Sequence, residues 1–89
     1  MRFRFEVRGR VQGVGFRAHA RAEAERHALV GFVGNRADGS VAGEAAGSAD
    51  GLGAFAAWLR RGPTFARVEA LVFEPMADVV GEHAFTVRT

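Results

Sequence analysis

The sequence predicts an α+β fold, a two-layer sandwich in the order β-α-β-β-α-β with a short extra C-terminal strand, its antiparallel sheet carrying two helices on one face. Three observations predict it. Residues 2–8 alternate between apolar and charged, two later stretches repeat apolar residues at helical spacing, and an Asp-Gly pair separates two strand-like runs. With 89 residues the chain is expected to form one domain, 1–89, near the small end of what can bury a core. A hydrophobic fraction of 48% beside 25% charged residues excludes a disordered chain.

In order, Phe3, Phe5 and Val7 face one way and Arg2, Arg4, Glu6 and Arg8 the other, the pattern of a strand with one buried face. Phe16 to Ala28 reads as a helix, with Phe16, Ala20, Ala24 and either His27 or Ala28 along one stripe. Leu29–Arg36 and Val41–Ala46 are predicted strands, and the intervening Ala37-Asp38-Gly39-Ser40 makes them an antiparallel hairpin. Ser48 is the expected N-cap of a second helix carrying Leu52, Phe55, Ala56 and Leu59 as far as Arg60, stopped by Gly62-Pro63. Trp58 beside that stripe is a core or core-edge residue. Ala66–Glu74 is a strand with Val68, Ala70 and Val72 on one side and Arg67, Glu69, Leu71 and Phe73 on the other, both sets partly apolar as for a strand covered on more than one side; Pro75 ends it, and Ala84–Arg88 is a short last strand. Two right-handed crossovers in this order give the ferredoxin-like plan, which hosts many functions and selects none.

The stretch Gly9-Arg10-Val11-Gln12-Gly13-Val14-Gly15-Phe16-Arg17 joins the first strand to the first helix. Gly13 and Gly15 permit positive φ, so successive N–H groups can point into one concavity, and the helix behind adds its own unpaired N–H groups. Such a loop suits an anion. Arg17 in the first helical turn adds an always-protonated fork for two phosphate oxygens. It is not a Walker loop, because no Gly-Lys-Ser/Thr follows, nor the dinucleotide fingerprint, which needs a third glycine. On the residues alone a plain turn with a solvated arginine stays open. Asn35 reads on its own as a turn-flanking asparagine bonding its backbone.

The chain contains no cysteine, so no disulfide, thiolate nucleophile or cysteine metal site is available. All twelve basic residues are arginine, which lifts the sequence pI to about 11 while the net charge is only +2. That balance does not point to nucleic acid, although Arg2, Arg4, Arg8, Arg10 and Arg17 cluster near the N-terminus and could steer a small anion. His19, His27 and His83 show no grouped spacing with a carboxylate, so neither a metal nor a general-base role is assigned to them. No apolar run reaches the ~18 residues of a membrane helix, and Met1-Arg2-Phe3-Arg4 lacks a signal peptide's apolar core, so a cytoplasmic location is expected.

The nine residues from Gly9 to Arg17 resemble the signature loop of the acylphosphatase family throughout. Gly31-Phe32-Val33-Gly34-Asn35-Arg36-Ala37-Asp38-Gly39-Ser40-Val41, with Gly47 at the family's spacing, resembles its second signature. Arg61-Gly62-Pro63 with Ala66-Arg67-Val68 is similar to its junction into the fourth strand, so the resemblance spans nearly the whole chain. One departure is visible, Gly34, where family members commonly carry Lys or Arg.

The resemblance implies hydrolysis of acyl phosphates to a carboxylate and inorganic phosphate. It implies a phosphate site built from Gln12, Gly13, Val14, Gly15, Phe16 and Arg17, with Gln12 serving loop structure and the site's edge, and catalytic roles for Arg17 and Asn35, the latter orienting the attacking water. No cofactor and no metal are expected, and the partner is a small acyl phosphate met by a monomer, away from nucleic acid and membrane. Two alternatives stand beside it. One is a carbamoyl-phosphate-handling domain like that of the hydrogenase-maturation carbamoyltransferases, although this chain ends where that one continues. The other is a non-catalytic phosphate- or RNA-binding module, for which the aromatic-free strand Val41–Ala46 is poorly suited.

Overall fold

The computed structural model describes residues 1–88. Seven elements follow in order: β1 (Arg2–Arg10), α1 (Phe16–Arg26), β2 (Val30–Asn35), β3 (Val41–Ala46), α2 (Ala49–Arg61), β4 (Arg67–Met76) and β5 (Phe85–Arg88). They build one five-stranded sheet in the order β4-β1-β3-β2-β5, the ferredoxin-like plan with an added edge strand. β1 is antiparallel to both β3 and β4, and β2 to β3. β5 differs from the all-antiparallel expectation: it pairs in parallel with β2. The reason is topological, because β4 and β5 occupy opposite edges and the chain between them rounds the end of the sheet before running back.

Both helices lie on the face that β1 presents with Phe5 and Val7, where the buried core also gathers Phe16, Ala20 and Ala24 of α1, Leu52, Phe55 and Leu59 of α2, and Phe85 of β5. Phe55 sits at its centre, edge-on to Phe5 at 5.5 Å and to Phe85 at 5.8 Å between ring centroids. Burying such a ring is worth about 1.5–3 kcal/mol. Trp58 belongs to the same cluster, 5.3 Å from Phe16, as expected. Ser48 caps α2, its Oγ accepting from the Gly51 N–H at 3.0 Å.

Several boundaries move, each for a local reason. α1 stops at Arg26, not Ala28, because Ala28 turns left-handed (φ 54) and the Ala28 and Leu29 N–H groups fold back onto Glu25 and Ala24. Pro75 lies inside β4, which tolerates it as an edge strand. The strict alternation predicted for β4 is also broken. Its register with β1 slips at Arg8/Gly9, where Arg8 faces Ala70 and Gly9 faces Val68, leaving Glu69 over as a bulge. Gly9 adopts φ 128 there, and a Cβ would come within 2.9 Å of the Glu69 nitrogen. The bulge brings Val68, Leu71 and Phe73, which simple alternation divides between the two faces, together against the core.

On the other face of the sheet, Arg2 is buried rather than solvated, 3% exposed. Its guanidinium donates to Glu44 of β3 at 2.6 and 2.9 Å and to Glu82 at 2.6 Å. This pair of carboxylates pins the segment leading into β5 against the sheet. Arg4 pairs with Glu74, and Arg8 with Glu6 and Asp38. Much of the N-terminal arginine cluster is thereby neutralised.

Candidate active site

β1 delivers the chain to residues 11–15, and α1 begins at Phe16 on the far side of that loop. Gly13 and Gly15 take φ of 75 and 77, so the loop curls without Cβ strain and the first helical N–H groups face outward. Gly15 is the N-cap, and no side chain bonds the free N–H groups behind it; the first turn of α1 contains no acidic residue. An anion is the natural complement to that arrangement.

The loop closes one wall of a pocket of about 230 Å³ whose polar lining includes Gly13, Gly15, Arg17 and Asn35, with Val11 and Val87 as apolar walls. Arg17 reaches it from α1, Asn35 from the last position of β2 and Val87 from β5. The two residues assigned catalytic roles are thus brought into one cavity. Arg17 makes a single long bond, Nη1 to the Arg88 carbonyl at 3.4 Å, and has no carboxylate within ion-pair distance among the described residues. Among the described residues its guanidinium is therefore not neutralised, and it lines the cavity.

Asn35 does not act as the turn-flanking residue its surroundings suggest. That task falls to Asp38, whose Oδ1 accepts from the Ser40 N–H at 2.9 Å and the Ser40 hydroxyl at 2.6 Å. The Ser40 hydroxyl, then the Ser40 N–H, with Arg8 assisting, hold the Asp38 carboxyl below the usual range. The Asn35 amide has no side-chain hydrogen bond among the described residues and remains half-buried on the pocket wall.

The other loop residues divide. Gln12 points away from the cavity, its Nε2 donating to the carbonyls of Arg36 at 2.8 Å and Ser40 at 2.9 Å, which ties the loop to the hairpin carrying Asn35. Phe16 buries its ring in the core and Val14 packs against the same cluster, so neither offers a side chain to an anion. The histidines lie apart: His27 is half-buried 3.5 Å from Glu23, His83 is exposed, and His19 stands over the end of the loop with Nδ1 2.8 Å from the Gly15 carbonyl oxygen. That contact with the loop was not legible beforehand, because a lone histidine four residues past a glycine carries no motif.

A second hollow of about 260 Å³ lies across the sheet, lined by Arg4, Phe32, Arg36, Glu44 and Arg88 and sharing Asn35 as an edge. Arg4 and Arg36 are paired with carboxylates there, and Arg88 stacks 3.7 Å over Phe32. Gly34 faces this hollow, and a Cβ on it would lie 2.9 Å from the Arg88 carbonyl oxygen, so β5 passes too close for a side chain without a shift.

The family model described as Acylphosphatase matches residues 3–87. The chain belongs to the acylphosphatase family. An acylphosphatase of Xanthomonas oryzae pv. oryzae is 53% identical over 74 residues, 83% of this chain and 84% of that one. The crystal structure of acylphosphatase from Bacillus subtilis superposes with a TM-score of 0.94 at 35% identity, covering 99% of this chain and 98% of its own. The fold also occurs within a larger protein, the HypF of T. kodakarensis, with a TM-score of 0.85 at 26% identity over 12% of that chain. No helix among the described residues is long and apolar enough to cross a membrane.

Proposed function

We propose that this chain hydrolyses acyl phosphates by direct attack of water, with the loop N–H groups and Arg17 holding the phosphoryl group and Asn35 aiming the nucleophile. The reading rests on one observation: Arg17 and Asn35, distant in sequence, line one pocket with the loop glycines. The water oxygen forms the new bond to phosphorus as the bond from phosphorus to the acyl oxygen breaks. The carboxylate departs with that electron pair, and the water's proton goes to phosphate or solvent.

The chemistry suits so sparse a site. A carboxylate leaving group has a pKa near about 4, so it departs as an anion without a general acid. A loose phosphoryl-transfer transition state needs chiefly alignment and positive potential at its equatorial oxygens. Backbone N–H groups at the helix start and the Arg17 guanidinium supply the potential, and an amide holds water without titrating. Among the described residues no three His, Asp or Glu side chains gather as a metal site. We take residues 1–89 to act as one domain and a monomer, since every group assigned a role comes from the same chain, and we place it in the cytoplasm.

The test is hydrolysis of benzoyl phosphate in a buffer containing a chelator, beside an alkyl phosphate at equal concentration. The expected result is turnover of the acyl phosphate alone, unaffected by the chelator. Comparable turnover of the alkyl phosphate would mean that a proton donor operates and the mechanism is wrong.

A further inference from the structure

We propose that His19 is a positioning residue that aims one backbone donor of the phosphate loop. The inference rests on the reading of that loop as the phosphate site.

The Gly15 carbonyl oxygen accepts twice from the same residue: the His19 backbone N–H at 3.1 Å and the His19 ring Nδ1 at 2.8 Å. Two bare acceptors at 2.8 Å would repel, so the ring carries its proton on Nδ1 and donates it to the carbonyl. The peptide joining Gly15 to Phe16 is planar and trans, so its C=O and N–H point in opposite directions. Fixing the oxygen toward His19 fixes the Phe16 N–H outward from the helix start, where an anion would meet it.

The clamp acts where the backbone is softest. Gly15 stands at φ 77, lacks a Cβ, and has no capping side chain to steady it. The His19 ring fills the space a side chain at 15 would take: a Cβ there would lie 3.3 Å from Nδ1 and 3.4 Å from Cε1. The ring therefore limits rotation about Gly15 by contact as well as by hydrogen bond. His19 touches neither substrate nor reacting atoms; it acts through the Gly15 peptide.

Amide side chains test this directly, because the Asn amide nitrogen falls near the position of histidine Nδ1 and the Gln nitrogen near that of Nε2. His19→Asn, His19→Gln and His19→Ala are compared by the inhibition constant of inorganic phosphate, by KM and kcat for benzoyl phosphate, and by Tm. Residue 19 is exposed and alanine is the stronger helix former, so the Ala variant folds. Loss of one neutral hydrogen bond predicts that Ala and Gln raise the phosphate inhibition constant and KM together by on the order of 5-fold, with kcat changed less than about 2-fold. Asn should stay within about 2-fold of the parent on the same grounds. An Ala variant that binds phosphate as the parent does, or Asn and Gln variants that fail alike, overturns the assignment while leaving the phosphate site intact. A parent protein that binds no phosphate overturns both.

Discussion

The amide nitrogen of Gln12 lies 2.8 Å from the carbonyl oxygen of Arg36, the residue directly after Asn35, and its second hydrogen reaches the Ser40 carbonyl at 2.9 Å. One side chain thus joins the loop proposed to bind phosphate to the hairpin that carries Asn35. The staple acts beside the β1–β3–β2 ladder that connects the same two segments through the sheet.

Gln12→Ala should therefore misalign the halves without abolishing either. Two neutral hydrogen bonds are lost, together worth about 1–2 kcal/mol. The expected outcome is a fall in kcat on the order of 10-fold, since alignment is what suffers, with phosphate inhibition changed less than about 3-fold. Steady-state kinetics with phosphate as inhibitor measures both, and an unchanged kcat would show that the backbone holds the register alone.

Ala28→Gly should stabilise the protein. Ala28 occupies the left-handed position after α1 at φ 54, which costs a non-glycine residue about 1–2 kcal/mol, partly offset by the greater chain entropy glycine loses. A net gain of about 0.5–1 kcal/mol corresponds to a Tm rise of several degrees in a domain of this size. Calorimetry giving an equal or lower Tm would mean the turn is relaxed as it stands.

The Arg2 cluster makes stability depend on acid. Hydrogen bonding to Arg2 holds the Glu82 carboxyl below its ordinary range, against an opposing push from burial. A depressed carboxylate contributes fully above its unfolded pKa of about 4.3, and the contribution disappears as pH falls through the lower folded value. Parent protein should lose more Tm between pH 5 and pH 3 than Glu82→Gln, whose amide does not titrate. Parallel Tm profiles for the two proteins would refute the linkage.

How far the sequence carried this structure can be judged from particular residues. The two helices, the hairpin and the Ser48 cap were legible because period and capping chemistry are local. The burial of Arg2 was not, because its partners Glu44 and Glu82 lie far along the chain and only the fold brings them together. The bulge at Glu69 escaped because one extra residue flips the faces of β4 while leaving composition untouched. The parallel pairing of β5 depends on which edge it joins, which no short stretch encodes. Arg17 and Asn35 emerged from two long motifs resembling a known family; geometry then adds that Asp38 and Ser40 relieve Asn35 of any turn duty. Gly34 could be noted as unusual, yet the close pass of Arg88 beside it is visible only in three dimensions.

Arg17→Ala should weaken phosphate and slow turnover together, because the proposed mechanism has the guanidinium hold the phosphoryl group in both ground and transition states. The loss of a charge-assisted donor amounts to about 3 kcal/mol or more in kcat/KM. A variant with unaltered phosphate inhibition would move the binding role elsewhere in the loop.

The division of labour between the two residues is tested most directly by steady-state kinetics of Asn35→Ala on benzoyl phosphate, with inorganic phosphate as competitive inhibitor. If Asn35 touches only the attacking water, kcat falls by about two to three orders of magnitude while the phosphate inhibition constant stays near that of the parent. An Asn35→Ala protein that melts at lower temperature and turns over normally would contradict the account, since Asn35 would then serve the hairpin and the water would be oriented by another group.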